Sequence, residues 1–308
     1  MSDPEVRLFT PSDAAALAEL LGRIFSPRVG ALASWKYFEN PALPAPLVAV
    51  AEAAGRELVG CYPLIGRRFL VDQREQLAVL GADLAVLPEH RTGGALHRRL
   101  CETVERAALA RGVAFAYGFP NLDAYRVSKR WFGLQDWATL ECWSRRLRAW
   151  PRRSRGASAD ASAIAVPQWE RIESRVESAG LRCRSFLSWR FGAARYRLRL
   201  GGDPARGEYL VVRMPQPDDP EAIVVDYGAA AGRASLARLL REEIAGQRVG
   251  SARRLTIACL PGSAMAGAAA DAGLLRVPQR DRPVTVKPLA GSHPAVPSHL
   301  TLADADDP

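Results

Sequence analysis

Asp83-Leu84-Ala85-Val86-Leu87-Pro88-Glu89-His90-Arg91-Thr92-Gly93-Gly94-Ala95-Leu96 is the stretch that decides the fold. The apolar run Gln76–Leu87, with Asp83 inside it, reads as a strand that ends at Pro88. A turn with two glycines follows. From Gly93 to Gly112 the residues Leu96, Leu100, Val104 and Leu109 recur at helical spacing. A strand, a glycine turn and a helix start aim several backbone N–H groups outward at the positive end of the helix dipole, a geometry that binds phosphate. Arg91 adds a permanent positive charge beside them. The same residues also fit an ordinary strand-to-helix turn in which glycine serves only tightness.

Upstream, Val6–Phe9 reads as a strand. Thr10 can cap a helix with Pro11 in its first turn, and Leu17, Leu20, Leu21 and Ile24 follow at helical spacing. A short helix over Ser34–Phe38 and strands over Leu47–Ala51, Glu57–Ile65 and Arg68–Val71 come next. Downstream, Val113–Phe119 is strand-like, Asn121–Trp131 helix-like up to Gly133, and Gln135–Leu147 strand-like. The order β-α-α-β-β-β-β-α-β-α-β describes an α/β domain with a mixed sheet over residues 1–147.

Residues 148–162 are mostly Arg, Ser and Ala without periodicity and read as a linker. A second domain is expected over 163–290, with helices near Pro167–Ala179, Phe186–Phe191, Ser235–Ala245 and Ser263–Ala272. Strands are expected at Tyr196–Leu200, Glu208–Met214, Ala222–Tyr227, Arg254–Leu260 and within Leu275–Lys287. Ser34-Trp35-Lys36-Tyr37 recurs as Ser188-Trp189-Arg190-Phe191, a weak sign that the halves are related. Residues 291–308 hold Pro, Ser and Asp and read as a flexible tail.

Composition narrows the class. With 48% hydrophobic and 24% charged residues, the 308-residue chain cannot be disordered throughout. No run reaches about 18 apolar residues, so no membrane span is expected. The N-terminus lacks the basic start and apolar block of a secretory signal, which fits a cytoplasmic location. Five cysteines, an odd number never spaced CxxC, argue for a reducing compartment and against a structural zinc site. No metal is expected. Basic residues outnumber acids 42 to 33, giving +9, and all basic residues except Lys36, Lys129 and Lys287 are arginine. Arg182, Arg184, Arg190, Arg195, Arg197 and Arg199 cluster with no acid among them. They read either as a cleft for an anionic acceptor or as a solvated basic face.

Four motifs in order resemble the GNAT N-acetyltransferase superfamily. Val86, Pro88, Arg91 and Gly94 match its pyrophosphate loop, while Leu96 replaces a residue that is usually small. Gly118-Phe119-Pro120-Asn121 followed by Gly133-Leu134, together with Trp35-Lys36-Tyr37 and Asn40-Pro41, is similar to a tandem branch of the superfamily. The resemblance implies two tandem GNAT-like domains, each a mixed, mainly antiparallel twisted sheet flanked by helices. The first would carry an acyl-CoA site and the second would be degenerate. It also implies an acetyl-CoA-dependent N-acyltransferase that moves an acyl group to a primary amine of a small or envelope-related acceptor by direct attack.

The same resemblance assigns candidate residues. Leu84, Ala85 and Val86 would form the strand edge that pairs with pantetheine. Arg91, Thr92, Gly93, Gly94, Ala95 and Leu96 would cradle the pyrophosphate. Asn121 would contact the cofactor, although Asn is also a good helix cap. Asp83 is the candidate base, or else a structural carboxylate paired with a nearby Arg. The family's general-acid Tyr would fall near Ser128 or Lys129, where none exists, so Tyr125, one turn earlier, is the candidate acid. Two alternatives stay open: an aminoacyl-tRNA-dependent peptidyltransferase of the tandem type, against which the intact loop speaks, and a non-catalytic CoA-binding or scaffold module. Nucleic acid is not expected as a partner, and the sequence leaves the oligomeric state open.

Overall fold

The computed structural model describes residues 3–72, 74–147, 179–192, 196–202, 208–216, 219–228, 231–247, 252–291 and 293–305. The expected linker and the helix expected near Pro167–Ala179 lie outside them, apart from Ala179. The chain builds two compact units. One comprises Met1–Trp137 and Val284–Ala295; the other comprises Ala138–Pro283 and Val296–Pro308.

In the first unit, β1 (Glu5–Leu8) leads into α1 (Ala14–Ile24) and α2 (Pro27–Ala31). A single π-helical turn, Ser34–Phe38, stands where the sequence predicts a short helix. Then come β2 (Leu47–Glu52), β3 (Leu58–Val71), β4 (Arg74–Gly81), the two-residue β5 (Ala85–Val86), α3 (Ala95–Ala110), β6 (Phe115–Gly118) and α4 (Leu122–Phe132). The two strands expected on either side of Gly66 are one strand. Gly66 is there because Leu43 packs against it: a β-carbon would sit 2.4 Å from Leu43 Cγ. Strands β1 to β4 are antiparallel neighbours, and β6 runs parallel to β4. Phe69, Phe115, Tyr117 and Trp137 form an aromatic core, with Phe69–Phe115 and Phe115–Trp137 centroids each 5.4 Å apart. Trp137 Nε1 donates to Ala295 O at 3.0 Å, fastening the returning chain to this core.

β7 (Gln135–Arg146) starts in the first unit and continues into the second. After β8 (Ala179–Gly180) come α5 (Arg184–Phe191), β9 (Tyr196–Leu200), β10 (Tyr209–Arg213), β11 (Glu221–Tyr227), α6 (Arg233–Gln247), β12 (Arg254–Cys259), α7 (Ala264–Asp271), β13 (Leu275–Arg276) and β14 (Arg282–Pro288). The second unit's sheet runs β9-β10-β11-β12-β7, antiparallel except for the parallel pair β11/β12. Three antiparallel strands, a helix and a parallel strand thus occur in both units.

The closing strands are exchanged. β6 of the first unit is bordered by β14, which the second half of the chain supplies, with Thr285 opposite Gly118 and Pro288 opposite Phe115. β12 of the second unit is bordered by β7, the last strand of the first half, with Ile257 opposite Trp143. A division at residue 147 therefore leaves β6 without its neighbour.

Residues 298–305 are not a free end. Leu300, Thr301, Leu302 and Asp304 are buried. Arg182 donates to Asp226 (Nε–Oδ2 2.9 Å), Asp304 (Nη2–Oδ2 2.8 Å) and Thr301 Oγ1 (2.9 Å). Arg190 reaches the carbonyls of Ala303 and Ala305, and Arg197 and Arg199 reach Glu243 at 3.5 and 2.7 Å. Acids far away in sequence thus neutralise Arg182, Arg197 and Arg199, while Arg195 lies outside the described residues.

Two outcomes follow. A fragment of residues 1–147 lacks β14 and exposes the edge of β6 and the aromatic core; it is expected to elute as aggregate in gel filtration and to lack cooperative melting. His299 packs edge-on against Tyr227, centroids 4.8 Å apart, near Arg182, Asp226 and Asp304. Burial first, then the Arg182 charge, pushes it down to about 4 from 6.5. The unfolded chain therefore binds the extra proton between those values, and stability present above pH 6.5 is lost as pH falls towards 4. The loss is about 3 kcal/mol, and His299→Phe should remove that part of the slope in urea titrations at stepped pH.

Candidate active site

The site begins with a miscount between two strands. Across β3 and β4, Leu64 faces Gly81; four residues further, Cys61 faces Ala85 of β5. Two residues of β3, Tyr62 and Pro63, thus face three: Ala82, Asp83 and Leu84. The extra residue is a β-bulge, which bends the strand that carries it. Asp83 in the bulge has φ +46, a left-handed conformation that costs a non-glycine residue of order 1 kcal/mol or more.

The bend opens a fork. β4 and β6 pair in parallel only from Ala78/Phe115 to Leu80/Tyr117. The next residues on the two strands are both glycine, Gly81 and Gly118. Beyond them the bulged strand leaves β6. Leu87 N donates to Val59 O at 2.8 Å, so Val59/Leu87 and Cys61/Ala85 are the hydrogen-bonded pairs. The Leu84 carbonyl and both polar groups of Val86 therefore point away from β3, into the fork. Arg91 Nε already donates to Val86 O at 2.8 Å. Among the described residues, the Val86 N–H and the Leu84 carbonyl remain as an unpaired edge.

The loop after this edge turns sharply. Pro88–His90 form a 3-10 turn, and Gly93 and Gly94 have φ 58 and 72. Gly94 is the N-cap of α3. No atom within 4 Å would meet a side chain at either glycine, so backbone conformation and open space, not packing, put glycine there. Among the described residues, no side chain caps the first N–H groups of the 16-residue α3, which face this opening. Leu96 is 6% exposed and packs with Leu100 and Val104 on the buried side of α3, so its bulk does not enter the loop. Ala95 is exposed, and only the backbone of Thr92 is described.

Asp83 Oδ2 accepts from Lys36 Nζ at 2.7 Å and from the Tyr37 hydroxyl, both on the π-helical turn. Its partner is a lysine, not the arginine that sequence suggests. Lys36 is only 2% exposed. One of three lysines in a chain of 42 basic residues, it was the available signal: where arginine is the default, a lysine inside an apolar turn marks a place that needs a compact charge. Asn121 is the N-cap of α4, its Oδ1 accepting from Ala124 N at 2.8 Å. The Tyr125 hydroxyl donates to Asp136 Oδ1 at 2.5 Å, and Lys129 Nζ reaches both Tyr125 (3.3 Å) and Asp136 (2.6 Å). The structure thus brings together the edge, the loop and Asp83, and ties Tyr125 into a surface cluster on α4.

Cys61, Cys101, Cys142 and Cys259 are buried, and burial pushes each thiol up, Cys259 to about 12. None supplies a thiolate at neutral pH. His97 is lowered by burial and by Arg91. Among the described residues no group of three His, Cys, Asp or Glu side chains could hold a metal, and no helix is long and apolar enough to cross a membrane.

The fold is that of the GCN5-related N-acetyltransferases. The chain superposes on such a protein from Kribbella flavida over 93% of its own length and 71% of that chain, with a TM-score of 0.64 and 15% identity. A GCN5-related N-acetyltransferase from Anabaena variabilis gives 93%, 73%, 0.61 and 12%, and Eis1 from Mycobacterium abscessus gives 93%, 74%, 0.61 and 16%. A scan against protein-family models finds no match, and neither does a sequence search of curated proteins.

The buried ion pair makes one energetic prediction. Asp83→Ala leaves the Lys36 ammonium buried without its counter-charge and should cost roughly 3 kcal/mol in urea denaturation. Lys36→Met in the same chain should recover much of that loss.

Proposed function

We propose that the chain is an acetyl-CoA-dependent N-acyltransferase that moves an acyl group to a primary amine of a small acceptor. The observation that carries this reading is the fork: a bulged strand leaves its parallel neighbour, keeps the Val86 N–H unpaired, and runs directly into the Arg91–Gly94 loop at the start of α3. An extended amide-bearing arm fits the edge, and a pyrophosphate fits the loop. Val86 N–H would polarise a thioester carbonyl. The acceptor amine would attack that carbonyl directly, because the buried cysteines offer no nucleophile for a covalent intermediate. Asp83, beside the edge, would take the proton the amine sheds.

The first unit would hold this site and the second would be its degenerate companion. The second unit's counterpart of the fork is filled by its own chain. β11 and β12 pair only as far as Val224/Ile257. Past that point Asp226 is taken by Arg182 and Thr301, and Tyr227 by His299. The Gly228–Gly232 connection lacks the proline and arginine of the first loop. An envelope-related acceptor is supported by the motif resemblance alone, and Arg182, Arg197 and Arg199, neutralised by acids, lend no support to an anionic one.

Calorimetric titration with acetyl-CoA tests the reading. Micromolar binding is expected. Arg91→Ala should weaken it about tenfold or more, as loss of a charge-assisted contact does. Gly94→Trp, which forces a bulky residue into a left-handed position in the loop, should abolish it. No binding by the unaltered protein at millimolar acetyl-CoA overturns the reading.

A further inference from the structure

The family's acid is missing from α4, and the Tyr125 hydroxyl is engaged by Asp136 and Lys129. A different phenol stands at the fork. Tyr62 lies on β3 opposite the bulge, and its side chain points to the same face as Gly60, where a β-carbon would lie 3.3 Å from Leu100 of α3. Its hydroxyl reaches across the neighbouring strand to Gly81. A β-carbon on Gly81 would lie 2.2 Å from that oxygen, so only glycine admits it. Gly81 is the first residue past the last β4/β6 pair, and Gly118 follows the pair on the other strand. The hydroxyl therefore sits beside Gly81, at the closed end of the fork. It has no hydrogen bond among the described residues, and the residue is only partly buried.

We propose that Tyr62 is the acid that protonates the departing thiolate of CoA. The assignment rests on the acyl-CoA reading above. An arm with its pyrophosphate at Arg91–Gly94 that runs along Val86 and Leu84 carries its thioester towards the closed end of the fork, where Tyr62 waits. The amine lone pair forms the C–N bond, and the C–S bond breaks with its electron pair on sulfur. The phenol proton goes to sulfur, giving the free thiol. The proton shed by nitrogen passes through Asp83 to water, and water returns one to the phenolate. Burial, with Cys101 and Glu105 nearby, pushes this phenol well above its ordinary value. It therefore keeps its proton in alkaline buffer, where CoA is a thiolate.

The test uses the full chain and two probes, CoA and desulfo-CoA, in calorimetry at about pH 9.5, above the ordinary thiol range. Tyr62→Phe should weaken CoA roughly tenfold, as loss of a hydrogen bond to a charged group does, and leave desulfo-CoA unchanged. With acetyl-CoA and hydroxylamine, thiol release in Tyr62→Phe should fall about 100-fold. Gly81→Ala, which displaces the hydroxyl, should reproduce Tyr62→Phe and add little to it in the double variant. Unchanged CoA affinity and thiol release in Tyr62→Phe overturn the assignment alone, and so does equal weakening of both probes. Failure of the unaltered protein to bind either acetyl-CoA or CoA removes the acyl-CoA reading and this assignment with it.

Discussion

One extra residue in one strand governs the first unit. Between Gly81 and Ala85 the strand carries three residues where β3 carries two. Without that excess β4 would continue alongside β6, every edge group would be paired, and no opening would exist. The excess forces Asp83 to a positive φ, and the strain is met locally by Lys36 and Tyr37. A buried ammonium is tolerable only beside a carboxylate, and the π-helical turn is the backbone form that delivers two consecutive side chains to it. Strain, ion pair and irregular helix are thus parts of one device that keeps two strands apart.

The second unit repeats the order of elements and reaches the opposite end state. Its parallel pair also stops short, after Val224/Ile257. There the chain's own final stretch occupies the place, with Arg182, Asp226, Asp304 and Thr301 satisfying one another out of contact with water. Burying four such groups is tolerable because each has a partner; removal of any one would strand the rest. The same backbone plan serves to present polar groups in one unit and to seal them in the other.

Much of this was legible in the sequence where the signal is local. The 3.6-residue spacing of Leu96, Leu100 and Val104 gave α3, the glycine pair gave the turn before it, and Asn121 gave the start of α4. What was hidden depends on distant partners. Nothing near Phe115–Gly118 says that Arg282–Pro288 will lie beside it. Gly66 looks like a break until Leu43 is seen to fill the space. The tail reads as loose because its composition is polar, whereas Asp304 is buried by an arginine 122 positions earlier. Tyr62 is one more aromatic residue in a β-strand until its hydroxyl is seen to fill the space that a side chain at Gly81 would need.

The exchanged closing strands also set an order in time. Gly118 leaves the ribosome long before Pro288, which is about 170 residues later and, at roughly 5–20 residues per second, some 10–30 s behind. For that interval the first unit's sheet ends at an unsatisfied strand, with Tyr117 and Phe115 at its border. The sheet begun first thus waits for a strand made after most of the second unit, and the proposed acyl-CoA cleft would take its final form only once Pro288 has emerged. A nascent chain of this design carries its own delay: the putting together of the site is coupled to synthesis of the Arg282–Pro288 strand.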